Sequence, residues 1–139
     1  FKTIHTPGHR KDHTVYYLEK EGWLFSGDLW VGEKIQFFRA DEHIDQQIES
    51  LRKISSLDFE MLFCAHRPCT KKGVALIKQK LDFLVSFQQQ AIDLYKQGYS
   101  VNNIVRKMRW KNDVPIRLFT MCNISFSHMV RSSIRTLPD

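Results

Sequence analysis

His5-Thr6-Pro7-Gly8-His9-Arg10-Lys11-Asp12-His13 closes the short apolar stretch from Phe1 to Ile4. Proline and glycine stop a strand there and force a loop that carries three imidazoles and a carboxylate. Downstream, Thr14 to Glu19 is β-branched and aromatic, Glu21-Gly22 supplies a turn, and Trp23 to Phe25 resumes as a strand, which reads as a hairpin. The second strand of that hairpin runs straight into Ser26-Gly27-Asp28, so an acidic side chain stands where strand becomes loop. From Asp45 to Leu57 the apolar positions Ile48, Leu51, Ile54 and Leu57 recur every three residues and predict an amphipathic helix. Glu60 to Ala65 is a buried-strand candidate that ends at His66-Arg67-Pro68. Strand, strand, helix, strand, with polar groups at the strand ends, is an α/β pattern.

After Pro68 the character changes. Val74, Ile77, Leu81, Leu84, Phe87 or Gln88, Ala91 and Tyr95 mark one stripe of a long helix that stops at Gly98. Ser100 caps a second helix through Val101, Ile104 and Met108, and Ser125 or Ser127 starts a third through Met129, Val130 and Ile134. Trp110 to Asn123 carries no clear period. The 139 residues are 42% apolar and 26% charged, enough for one core of ordinary size with a small appendage. Charge is uneven: residues 1–70 hold 9 Lys and Arg against 11 Asp and Glu, a net of −2, whereas residues 71–139 hold 12 against 4, a net of +8. A basic helical tail attracts nucleic acid or acidic partners through its field, but a solvated helix face is the commoner cause, and no nucleic-acid reader motif accompanies the charge. Cys64, Cys69 and Cys122 have no disulfide-framework spacing, which suits a reducing, cytoplasmic setting. No run of about 18 apolar residues predicts a membrane span. The start at Phe1, inside a strand, suggests a fragment.

The chemistry gathers at three strand ends. His9, Asp28 and His66 each follow an apolar strand and each lie in a loop, so one sheet edge can bring them together. Imidazole and carboxylate suit zinc, iron or manganese, and a carboxylate can bridge two ions. Taken singly, a histidine beside glycine is usually a loop residue and an aspartate after glycine a turn former; it is the joint placement that points to metal. His13 and His5 are candidates for supporting a ligand or touching substrate. Cys64-x-His66-x-x-Cys69 has the look of a zinc-knuckle fragment, but Cys64 sits in an apolar strand and no fourth ligand stands at the required spacing. Ser26 lacks the Gly-x-Ser-x-Gly elbow of a serine nucleophile. Trp30, Phe37 and Phe38, flanking the Asp28 loop, are the candidate pocket walls.

His5-Thr6-Pro7-Gly8-His9 with Asp12-His13, then Phe25-Ser26-Gly27-Asp28, then Ala65-His66-Arg67-Pro68 resemble three consecutive motifs of the metallo-β-lactamase superfamily, in order and approximate spacing. The resemblance covers roughly residues 1–85, and the helical residues 86–139 resemble the C-terminal extension of glyoxalase-II-like members. It implies the C-terminal half of an αβ/βα sandwich and a metal-dependent hydrolase that cleaves a thioester or ester with a metal-activated water. It implies that His9 completes the first metal site, that Asp28 bridges two zinc ions and is the catalytic residue, and that His66 binds the second. Arg10-Lys11 departs from the family, which often has Thr or Ser followed by a small residue or proline. The His-x-His-x-Asp-His motif of the family's N-terminal half is absent from these 139 residues. Each metal then has about two ligands, so the isolated chain is expected to be inactive, with a small acyl substrate taken by the full-length parent. The alternatives are a metal-dependent nuclease of the same core, and a non-catalytic fragment that pairs with its missing half or with itself.

Overall fold

A computed structural model describes residues 1–35, 37–66, 71–108, 118, 120, 121, 123–135 and 137. The expectations for Arg67, Pro68, Cys69, Cys122 and most of Trp110 to Asn123 lie outside those residues. Four strands form one sheet: β1 (Lys2–His5), β2 (Thr14–Leu18), β3 (Trp23–Gly27) and β5 (Met61–Cys64), in that spatial order. β1 and β3 both run antiparallel to β2, and β5 runs parallel to β3. A parallel neighbour demands a long crossover, and here it holds the two-residue β4 (Phe38–Arg39) and helix α1 (Ile44–Ser55). The mixed α/β architecture expected from the strand and helix order is the one observed.

Alternation along the strands separates two faces. Val15, Tyr17, Leu24, Leu62 and Cys64 point inward and join one core with Ile48, Leu51 and Ile54 of α1. The long helix α2 (Gly73–Lys96) packs along α1 and supplies Ile77, Leu84, Phe87 and Ala91 to the same core, continuing without a break across residues 85 and 86. Helices α3 (Val101–Met108) and α4 (Phe126–Ile134) pack against α2 and each other. A second, two-stranded sheet pairs β4 with β6 (Ile124–Ser125), a feature the sequence patterns did not announce. It ties the crossover to the start of α4. The opposite face of the main sheet carries Tyr16, Trp23, Phe25 and Phe63, with Phe25 stacked on Phe63 at 4.6 Å between ring centroids. Among the described residues, no helix is long and apolar enough to cross a membrane.

Candidate metal centre

Because β1, β3 and β5 share one direction, their C-terminal ends meet at one edge of the sheet, together with the start of β2. The loops leaving those ends carry His9, Asp28 and His66, and His13 stands just before β2. Each loop is held in place. The His5–His13 loop is closed by Thr6 N–H donating to the His13 carbonyl at 2.9 Å, and it lies against the start of α1, where His43 N–H donates to Gly8 O at 2.9 Å and Ser50 Oγ to Pro7 O at 2.8 Å. Gly8 has φ +129°, and a Cβ there would stand 2.5 Å from Gln47 Cγ, so the loop reaches α1 only because this residue is glycine. Beyond β3, a register irregularity between Phe25 and Gly27 and the left-handed φ of Gly27 turn the chain, and Leu29 N–H closes the turn on Ser26 O at 3.0 Å.

The result brings three of the expected residues together. His9 Nε2 lies 3.5 Å from Asp28 Oδ2, and His66 Nε2 lies 3.3 Å from Asp28 Oδ1, so one carboxylate stands between two imidazoles. Asp28 Oδ1 is buried and accepts no hydrogen bond, the state of an oxygen that a cation would satisfy. Among the described residues no group of three or more His, Cys, Asp or Glu is already arranged as a metal cage. His13 is beside this group rather than in it: its Nδ1 pairs with Thr6 Oγ1 at 2.8 Å and its ring stands edge-on to His9. Burial, and then the neighbouring His9, lower the pKa of His13, which keeps it neutral near pH 7. His5 faces elsewhere, exposed, with Nε2 2.7 Å from the Lys11 carbonyl. Cys64 is a buried thiol of the core, outside any disulfide.

A cavity of about 190 Å³ opens on the group, with apolar walls from Val31, Ile35, Phe37 and Ile124. Of the aromatic residues expected to line it, Phe37 does; Trp30 and Phe38 are wholly buried in the core, because the chain after Asp28 turns inward. Three charged residues of the cavity, Arg39, Glu42 and Lys80, were missed by sequence reasoning. Glu42 belongs to the acidic run Asp41, Glu42, Asp45, whose other two members are exposed, yet it is buried and its Oε1 lies 3.3 Å from His9 Nδ1. Lys80 is wholly buried and donates to the Leu29 carbonyl. Complete burial pushes its pKa down to about 8, against the pull of Glu42 and Asp28. Lys80 did leave a signal, for it lies three residues after Ile77 and four before Leu84, inside the apolar stripe.

Residues 1–66, the segment that builds this edge, match the family model of the metallo-beta-lactamase superfamily. Residues 1–66 are of the metallo-beta-lactamase superfamily. The chain is similar to a beta-lactamase-like protein 2 homolog of Caenorhabditis elegans, at 28% identity over 88% of this chain and 41% of the relative. It is also similar to an atrochrysone carboxyl ACP thioesterase of Aspergillus fumigatus, at 26% identity over 81% of this chain and 33% of the relative. The chain thus spans between a third and about two fifths of the length of these curated relatives. Among solved structures, a metallo-beta-lactamase family protein from Thermus thermophilus shares the fold, with a TM-score of 0.67 at 16% identity over 96% of this chain and 43% of that one. The chain therefore shares the metallo-beta-lactamase fold.

Proposed function

We propose that this chain carries one side of a two-metal hydrolytic centre, with His9 and Asp28 holding the first ion and Asp28 and His66 the second. The observation that carries the reading is the Asp28 carboxylate set between two imidazole Nε2 atoms, with one buried oxygen left without a hydrogen bond. His9, Asp28 and His66 would hold a divalent ion there, zinc first and iron or manganese as alternatives, which would supply a Lewis acid and lower the pKa of a water toward about 7. Asp28 orients the attacking water and accepts its proton, and Val31, Ile35, Phe37 and Ile124 offer apolar surface to a small acyl group. A thioester or ester is the substrate class. The thioesterase among the relatives supports it, as does the resemblance of the helical extension to that of glyoxalase-II-like members, and the cysteine spacing supports a cytoplasmic setting. A catalytic zinc needs about three protein ligands and an open position. This chain offers two for each ion, so it turns over nothing by itself.

The remaining ligands come with a second sheet that covers the outer face. Tyr16 and Trp23 expose 48% and 39% of their surface there, beside the stacked Phe25 and Phe63, an aromatic surface suited to face-to-face sheet packing. We assign that cover to another part of a longer polypeptide, in keeping with the share of the relatives that this chain spans.

Calorimetric zinc titration of the chain and of the double variant Asp28→Ala, His66→Ala tests the site. Binding that disappears in the variant is expected. Equal binding by both would place the metal elsewhere and overturn the assignment.

A further inference from the structure

We propose that Glu42 is the positioning residue of the centre: its carboxylate holds the proton of His9 on Nδ1 and so keeps Nε2 free to face Asp28. The inference rests on the metal-centre reading for its purpose, but its geometry stands without a metal. His9 has a carboxylate on each side. Nδ1 lies 3.3 Å from Glu42 Oε1, and Nε2 lies 3.5 Å from Asp28 Oδ2. A neutral imidazole carries one proton, and the stronger acceptor decides which nitrogen keeps it. Glu42 is closer, and its side chain is only 8% exposed against 39% for Asp28, so its attraction is less screened by water. With the proton on Nδ1, the lone pair of Nε2 points to Asp28, where a shared cation would sit.

Glu42 is itself built in. Gln47 Nε2 donates to Oε2 at 2.6 Å and the Arg39 backbone N–H to Oε1 at 3.2 Å. From α4, Ser132 Oγ donates to the Glu42 carbonyl at 3.0 Å. The same stretch of chain grips the His9 loop through His43 N–H on Gly8 O. Gln47 therefore does two things: it orients the carboxylate, and it packs where a Cβ on Gly8 would collide. Carboxylates behind metal-binding histidines fix the tautomer, and their removal typically costs about 10–100-fold in metal affinity.

The test compares the chain with Glu42→Gln and, as a control, Glu49→Gln, which removes the same charge from an exposed position on α1. Two readouts are taken, with melting curves to follow folding. The first is the imidazole tautomer of His9 in the metal-free chain, from nitrogen chemical shifts at about pH 8, above the ordinary histidine range. The second is zinc affinity in competition with a chromophoric chelator. The expected result is His9 protonated on Nδ1 in the parent and in Glu49→Gln, movement toward Nε2–H in Glu42→Gln, and zinc affinity about 10–100-fold weaker in that variant alone. Unchanged tautomer and affinity in a folded Glu42→Gln chain overturn the proposal. Should Glu42→Gln fail to fold, Gln47→Met, which frees the carboxylate without removing it, is expected to move both readouts less and in the same direction; no movement there overturns it equally. A parent that binds no zinc yet holds His9 as the Nδ1–H tautomer, lost on Glu42→Gln, shows that two ligands per ion do not hold the metal in this chain alone and leaves the positioning role standing.

Discussion

Lys80 is the residue with the largest stake in the local electrostatics. Its ammonium is wholly buried beneath the Asp28 loop, and burial lowers its pKa from 10.5 to about 8. The folded value lies below the unfolded one, so between about pH 8 and 10.5 the unfolded chain binds more protons. Raising pH through that window therefore favours the folded state, and the gain is lost again as pH falls through 8. Urea denaturation followed across the window should show the parent gaining up to about 3 kcal/mol relative to Lys80→Met, whose own contribution is flat. Parallel pH profiles for the two proteins would mean that Lys80 keeps an ordinary pKa. Below the window the ammonium stays charged and is offset by Asp28 and Glu42, the opposite charges that raise its pKa against burial.

At the scale of elements, α1 begins without help from its own flanking side chain. His43 makes no capping bond, and the Ile44 N–H is taken by Ser132 Oγ from α4, at 2.9 Å and 88 positions away. The same hydroxyl donates to Glu42 O, so one serine satisfies a donor and an acceptor in a buried place. Ser132→Ala should cost about 1–3 kcal/mol in urea denaturation, the penalty of leaving buried polar groups unpaired; a change within about 0.5 kcal/mol, usual for a surface site, would show that water replaces the hydroxyl. This contact explains much of what was and was not legible in the sequence. The four strands of the main sheet and helices α1 to α4 follow from local period and from Pro7, Gly8, Gly22 and Gly98. His9, Asp28 and His66 were legible because each stands just past a strand. β4 and β6, at two residues each, are too short to show a period, and they form only because they meet each other. Glu42 was illegible for the same reason: its neighbours in sequence are solvated acids, and its burial comes from Gln47, Arg39 and α4. Trp30 and Phe38 misled, because an aromatic beside a strand end reads alike whether the chain then turns toward solvent or toward the core.

At the scale of the whole molecule, the sheet is covered by helices on one face and carries an aromatic surface on the other. Phe1 and Tyr16, with Phe25 beneath them, form an apolar hollow on that surface, and Trp23 packs edge-on against Phe63. Without its cover such a face associates with copies of itself. Sedimentation of the chain should show concentration-dependent association that Tyr16→Lys with Trp23→Lys abolishes, while folding persists because both residues lie outside the core cluster. A parent that stays monomeric at all concentrations would argue that the face needs no cover. Adding the complementary half should displace the self-contacts and restore thioester hydrolysis.

The bond from Ser132 to Ile44 also sets an order of events during synthesis. A ribosome adding about 5–20 residues per second releases Ile44 roughly 4–18 seconds before Ser132, given the 88 positions between them. From the synthesis of His66 to that of Ser132, the last 66 of those 88 positions, the nascent chain has already made His9, Asp28 and His66 but not the helix that anchors Glu42. Metal captured in that interval would meet His9 before Glu42 is anchored behind it, so α4, emerging after His9, Asp28 and His66, would complete their surroundings last.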